Sequence, residues 1–545
     1  MNVSPTRGAA FLSARAPRRA AAVALAALLA TLLSGVAPAA TAGRRSAPDR
    51  VAPNAAAASA RGTARGTLSV TPTVHMPGQA VRFQGNLGRP GRRPVHLQSH
   101  MGRPGDSWLD VPDSSFSTDA RGHFDFRFPA PSMLRISFRV AGGGLATSPY
   151  LFTARPQELT LTLDGEDADV PFYSVLPLQP FTVLADTTPP VRSALGSPPP
   201  VPGRTVLLQE RADGNRWRTV DHGVTDAQGH VTFQVAAPVL GARVLRARQQ
   251  RWTVGRNEIG WYASFPAYFT VLGVGDRPGT TAYRAAPAVA SATPTSQGIR
   301  PTAARRYGWG LPLYDFAWES GQDLTTRPGR GTRPRGAWLD TSDGTGRATP
   351  FNGGLVLQSK LRHGGVGDLG TTTATLRGNS QAQGRWEFRL QGHNWETGPR
   401  PYRFLLELVP PGAPVVTCSP RSIVAADFTL GSPGMRLGVR SVDADSVWRR
   451  TLNDVTLAES PFNVAVELTK GHITWFVDSR PVATLKSPKA RLGTRLVPRL
   501  SLIGEQQEMN GAQVDSDWQR SWSLDHGQQV TSGPAPTRSA YSPSC

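Results

Sequence analysis

Cysteine is nearly absent: the 545 residues contain two, Cys418 and Cys545. That excludes a small disulfide-stapled scaffold and any cysteine-based metal site. Lysine is equally scarce. Lys360, Lys470, Lys486 and Lys489 are the four, so the 60 basic residues are almost all arginine. No basic helix or clustered basic stripe is visible, which argues against a nucleic-acid partner. Long apolar runs are missing too. The longest, residues 20–33, has 14 residues against the roughly 20 that a helix needs to cross a bilayer. Stretches free of turn formers are also lacking. Gly (56) and Pro (48) are spread along the whole chain, which disfavours long helices and favours many short strands.

What is present at the N-terminus is a targeting pattern. Arg7, Arg15, Arg18 and Arg19 precede the apolar run, no acidic residue interrupts them, and Ala40-Thr41-Ala42 supplies a small-residue cleavage site. Residues 1–42 therefore read as a signal peptide, with a short N-terminal anchor as the alternative. The expected product is secreted or held at the outer cell surface, with no transmembrane segment after cleavage. Removing four arginines leaves 56 basic against 39 acidic residues, a net charge near +17. Arginine dominance with abundant Ala, Gly and Pro fits coding bias in a GC-rich genome. It also suits attraction to anionic surfaces such as acidic glycans. In an oxidising compartment Cys418 and Cys545 are able to pair, pinning the terminal tail; a loop cysteine and an unpaired terminal thiol is the other reading.

The length suits about three domains. Residues 43–64 read as a disordered leader and 526–545 as a disordered tail. Residues 274–306, with Pro278, Pro287, Pro294 and Pro301 among Ala, Thr and Ser, read as an extended linker that holds its flanking domains apart. Between leader and linker lies an internal repeat. Arg93-Pro94-Val95-His96-Leu97-Gln98, then Trp108, then Thr118-Asp119-Ala120-Arg121-Gly122-His123-Phe124 is matched by Arg204-Thr205-Val206-Leu207-Leu208-Gln209, then Trp217, then Thr225-Asp226-Ala227-Gln228-Gly229-His230-Val231. Val95/Leu97 and Val206/Leu208 alternate as half-buried strands. Each Thr-Asp-Ala-x-Gly is a turn capped by its own Asp, with Gly at positive φ. Asp119 and Asp226 thus read as turn caps rather than calcium ligands, and His123 and His230 as surface residues. Two β-sandwiches, 65–155 and 156–273, follow. They resemble the immunoglobulin-like modules repeated on exported actinobacterial proteins.

Residues 307–525 form the third domain. Gly384-Arg385-Trp386-Glu387-Phe388-Arg389-Leu390, then Ser460-Pro461-Phe462-Asn463-Val464-Ala465-Val466-Glu467, then Gly471-His472-Ile473-Thr474-Trp475-Phe476-Val477-Asp478, occur in one order with Tyr314-Asp315-Phe316-Ala317-Trp318 before them and Met509 and Asp517-Trp518-Gln519-Arg520 after. Together they resemble glycoside hydrolase family 16. The resemblance implies a concanavalin A-like lectin/glucanase jelly roll, so the expected fold class is all-β: two immunoglobulin-like sandwiches followed by a jelly roll. Alternation supports it, since Trp386, Phe388 and Leu390 point one way and Arg385, Glu387 and Arg389 the other. Asp478-Ser479-Arg480 reads as a hairpin turn.

The chemistry departs from that family. A retaining glycosidase needs two carboxylates about 5 Å apart, which the family carries on one strand as E-x-D-x-E or E-x-D-x-x-E. In the matching segment, 418–428, Ser422 stands at the nucleophile, Val424 at the middle aspartate, and only Asp427 at the acid/base. A rewired pair would recruit Asp427 with Glu407 or Glu387; Glu396, in a loop, is a further acid. Glycan binding without catalysis would use aromatic rings beside polar groups: Trp395, Tyr402, Arg403, Asn394, Trp448 and Trp518. The run from Asp340 to Gly346 reads as a Gly/Asp turn more readily than as a calcium loop. No metal or cofactor is expected. The expected protein is a monomeric polysaccharide or cell-wall glycan binder, with an active endo-β-glucanase and a ligand-free structural wall protein as alternatives.

Overall fold

The computed structural model describes residues 66–539, apart from 103–106, 133–134, 168–172, 191–195, 213–214, 274–300, 319–323, 325–336, 352, 360–369, 396–398, 415–420, 442–446, 459, 489–492 and 506–508. The signal peptide, the leader, most of the linker, Glu396, Cys418 and Cys545 lie outside the described residues. The chain is all-β. The one helix among the described residues is the single turn Ala303–Arg306. No described helix is long and apolar enough to cross a membrane.

The first sandwich pairs a three-stranded sheet, Thr67–Thr71, Ala80–Asn86 and His123–Pro129, with a five-stranded sheet centred on Pro94–His100 and Ile136–Gly142. Val81, Phe83 and Phe124 from one sheet meet Val95, Leu97, Phe138 and Val140 from the other. The second sandwich repeats this. A four-stranded sheet containing Pro180–Asp186 and His230–Ala236 faces a six-stranded one built on Thr205–Ala212 and Gly241–Gln249. The repeated turns match bond for bond. The Asp119 carboxylate accepts the Arg121 and His123 N–H groups, and Asp226 accepts those of Gln228 and His230. Gly122 and Gly229 sit at φ 82° and 87°, where an L side chain is strained. A Cβ on Gly122 would also lie 2.3 Å from the Arg89 carbonyl oxygen.

The third sandwich is the jelly roll. A seven-stranded sheet runs in the order Ala337–Asp340, Thr371–Arg377, Val497–Ile503, Arg403–Val409, Ser422–Thr429, Met435–Arg440, Trp448–Leu452. An eight-stranded sheet lies over it, with Gly384–Trp395 and Gly511–Trp522 at its centre. Trp386, Phe388, Leu390, Trp475 and Val514 from one sheet pack on Phe404, Leu406, Ile423, Phe428 and Leu500 from the other in one continuous core. The Asp478 and Ser479 turn residues both take positive φ, 45° and 66°, as a two-residue type I′ hairpin requires.

Two expectations drawn from composition are corrected. The polar C-terminal stretch is not loose through residue 539. Its Val530 is buried, the Thr484 N–H donates to the Pro534 carbonyl, and Arg449 and Thr537 exchange backbone hydrogen bonds. The reason is that strand edges need partners, and this segment provides them. Nor are the second sandwich and the jelly roll held apart. Trp261 and Ala263 join the jelly-roll core. Arg246 is paired with Asp340, both side chains at most 7% exposed. Arg211 donates to the Asp343 and Gly344 carbonyls at 2.6 and 2.8 Å, and Arg347 donates to the Ala263 carbonyl. The Asp340–Gly346 run is therefore a docking turn, its second carboxylate accepting the Thr371 N–H.

Breaking a buried pair by removing one partner strands the other charge, at a cost of about 3–5 kcal/mol. Arg246→Ala and Asp340→Ala are each expected to destabilise the chain by that order, and the double variant by clearly less than the sum. A double-mutant cycle by urea unfolding measures this. Additive losses would show that the contact contributes nothing to holding the two domains together.

Candidate functional site

The strand Ser422–Thr429 lies inside the seven-stranded sheet, between Arg403–Val409 and Met435–Arg440. Ile423, Ala425, Ala426 and Phe428 belong to the core. Ser422, Val424 and Asp427 therefore face away from it, because the register shifts between Val424 and Asp427 and one extra residue turns Asp427 to the same side. Val424 rests there on Leu405 in a small separate cluster. Glu407, two residues beyond Leu405, shares this face and pairs across from Val424. The structure thus gathers Ser422, Val424, Asp427 and Glu407 on one sheet face.

Both acids on that face are consumed by arginine. Asp427, 0% exposed, receives a two-pronged fork from Arg403 at 2.7 and 2.8 Å and a third bond from Arg436 at 3.0 Å. Glu407, 1% exposed, accepts from the Ser422 hydroxyl at 2.9 Å, from Arg440 at 2.7 Å and from Arg499 at 3.0 and 3.3 Å. Arg499 also caps the Ala413 and Pro414 carbonyls. Forked pairs of this kind are among the strongest side-chain hydrogen bonds. A general acid must hold a proton and then give it to a leaving oxygen, and a nucleophile must offer a bare oxygen to the sugar. Oxygens held in forks do neither without first losing their partners.

Glu387 is not with them. It lies on Gly384–Trp395 of the other sheet, between the core residues Trp386 and Phe388, so it points out of the sandwich on the opposite side. There it accepts the Ala303 and Ala304 N–H groups of the single-turn helix at 2.5 and 3.3 Å. Arg385 beside it is instead buried against Glu467 at 2.7 Å. Burial pushes the Glu387 carboxyl up to about 7, against the pull of the two N–H bonds.

Most of the aromatic candidates are core. Tyr402 is 1% exposed, Trp448 6% and Trp518 7%; the first two belong to the central cluster, and the third lies under the Arg520 guanidinium at 4.4 Å. These three rings cannot form a sugar platform. Tyr402 has polar sequence neighbours, but Phe404 and Leu406, two and four residues on, share its inward face. Arg403 is an Asp427 partner, and the Asn394 side chain accepts from Asn510 at 3.3 Å. Trp395 differs. It is half-buried at the end of its strand, and its ring stacks on His393 at 5.6 Å with 8° between planes. On the same face Asp515 is held by Gln391 and Gln513, each at 2.9 Å, and burial raises its carboxyl. Gln391, Gln513 and Asp515 carry no motif in the sequence. Their signal is period-two alternation on two paired strands, which is visible only once the pairing is known.

No protein-family model matches the chain, and no curated protein matches it. Solved structures do. The laminarinase from Rhodothermus marinus has 16% identity and a TM-score of 0.27, covering 32% of this chain and 80% of its own. A non-specific endo-β-1,3(4)-glucanase from family GH16 has 9% identity and a TM-score of 0.30, covering 39% and 94%. LamAcat from Zobellia galactanivorans has 12% identity and a TM-score of 0.28, covering 39% and 98%. At these values the matches assign no activity.

The Glu387 shift makes a pH signature. Its folded value near 7 lies above the ordinary 4.5. The folded state therefore holds the proton more tightly, and stability falls as pH rises from about 4.5 to 7. Glu387→Gln keeps an acceptor for the helix N–H groups and removes this fall. The variant is expected to match the parent near pH 4.5 and to exceed it at pH 8 by up to about 3 kcal/mol. Urea melts across that range read the difference, and parallel profiles would refute the assignment.

Proposed function

We propose that this protein is a secreted or surface-held polysaccharide-binding protein whose jelly roll is laminarinase-like in form and does not hydrolyse glycosidic bonds. The observation that carries the second half is the saturation of Glu407 and Asp427 by four arginines, with Ser422 and Val424 where the hydrolase pattern needs carboxylates. Export rests on the N-terminal pattern of basic residues, apolar run and small-residue cleavage site. Glycan binding rests on the half-buried Trp395–His393 ring pair at the end of its strand, a stacking surface that suits a sugar ring. The proposed ligand is a neutral or wall polysaccharide. The proposed state is a monomer needing no cofactor.

The test uses the whole chain, offered laminarin, lichenan, agarose, chitin and peptidoglycan. Retention on at least one of them without release of reducing ends is expected. Trp395→Ala should weaken retention about three- to tenfold, the worth of one ring contact. Turnover that Asp427→Asn abolishes would establish a rewired glucanase instead. No retention on any polysaccharide would leave the structural wall protein as the reading.

A further inference from the structure

The two N-terminal sandwiches share a feature deeper than the turn motif. In the second, Gln209 pairs across from Arg246, Arg246 Nε donates to the Gln209 side chain at 3.0 Å, and its guanidinium lies 4.2 Å over the Trp217 ring. A second cation, Arg211, covers the same ring at 5.1 Å. This is the device that grips the jelly roll: Arg246 takes the Asp340 carboxylate and Arg211 takes the carbonyls of Asp343 and Gly344. In the first sandwich, Gln98 pairs across from Arg139, Arg139 Nε donates to Gln98 at 2.8 Å, and its guanidinium lies 4.2 Å over Trp108. At the position of Arg211, two residues past the glutamine, stands His100, whose ring meets Trp108 at 5.1 Å. Its Nδ1 accepts the Gly102 N–H, so the neutral ring carries its proton on Nε2, a donor where Arg211 is a donor.

The second clamp is filled by this chain's own acidic turn. Among the described residues the first clamp holds no carboxylate on Arg139. Asp110, 70% exposed, sits beside Gln98, where it takes the glutamine amide and the His96 ring. Burial lowers the Arg139 guanidinium; burial also lowers Arg246, which has the Asp340 charge as a counterweight. Trp108, Arg139 and His100 are half-buried, and the neighbouring Leu109 is 57% exposed.

We infer that the Gln98–Arg139–Trp108–His100 face of the first sandwich is a docking site for a second protein that presents an acidic turn like Asp340–Gly344, with its carboxylate on Arg139 and a backbone carbonyl on His100 Nε2. A second copy of this chain is a poor occupant, because its own turn is already gripped by its second sandwich.

The probe is a fluorescein-labelled peptide of residues 337–347, closed head to tail, titrated with the full chain and read by anisotropy. The tethered turn, at an effective concentration on the order of millimolar or more, keeps the second clamp filled. Saturable binding is expected. It should weaken about tenfold or more with Arg139→Gln, with Trp108→Ala, and with Asp340→Asn in the peptide, as loss of a charge-assisted bond implies. His100→Ala, checked by circular dichroism with the others, is a milder second variant that should also weaken binding. Three outcomes would overturn the inference as stated. One is no saturable binding up to millimolar protein, or binding indifferent to Arg139 and Trp108. Another is oligoglucuronate competing as well as the unlabelled peptide, which would make the site one for acidic glycans. The last is self-association of the chain that Trp108→Ala abolishes, which would make the partner a second copy.

Discussion

A carboxylate taken out of water must be compensated on both oxygens, at a cost of several kcal/mol per ion if it is not. In this chain the usual compensation is arginine, whose fork matches the carboxylate edge to edge. Arg403 and Arg436 serve Asp427, Arg440 and Arg499 serve Glu407, Arg385 serves Glu467, and Arg246 serves Asp340. The forks that make Asp427 and Glu407 tolerable at essentially zero exposure also take the lone pairs and proton positions that hydrolysis would use. Domain assembly follows from the last pair. At Glu387 the hydrogen bonds come from two backbone N–H groups, with Arg520 acting only through its charge, and burial lifts the carboxyl above its ordinary range.

The same economy governs the sheet edges. Ala337–Asp340, Arg347–Phe351, Trp448–Leu452 and Arg480–Leu485 are four of the described edge strands of the jelly-roll sheets, and an open edge is a row of unmet backbone groups. Near Ala337–Asp340 and Arg347–Phe351 the second sandwich supplies Ala263, Trp261 and its arginines. The C-terminal stretch serves the other two. Thr537 bridges to Arg449 on Trp448–Leu452, and Pro534 accepts from Thr484 on Arg480–Leu485. A segment whose composition reads as solvated is ordered through its backbone bonds to these edges, together with the buried Val530 side chain.

The all-β class, the repeat and the alternation of Trp386, Phe388 and Leu390 were legible because each is a local period. The bulge that brings Asp427 round beside Ser422 and Val424 was legible only through the spacing of a resembling family. What could not be read was which strand lies beside which. Arg436, Arg440 and Arg499 are ordinary surface arginines until Met435–Arg440 and Val497–Ile503 are known to flank the strands carrying Asp427 and Glu407. Tyr402 and Trp518 failed as platforms for the same reason. Polar sequence neighbours say little about a strand residue, whose neighbours point the other way.

That pairing also changes what the strongly basic composition means. A net charge of +21 invites a reading in terms of anionic partners. Yet Arg204, Arg246, Arg347, Arg385, Arg389, Arg440 and Arg499 are all buried, among carboxylates, carbonyls and rings. Their charge is spent inside. Lysine would not substitute, since an ammonium offers one point charge where Asp427 and Glu407 are met by planar forks. Whatever genomic bias supplied the arginines, the fold uses them as internal ties. Glu210, Glu387, Glu407, Asp427, Glu467, Asp478 and Asp515 are buried as well, so these ties leave the net charge itself unchanged. Placement distinguishes individual guanidinium groups, as with Arg139 over the Trp108 ring.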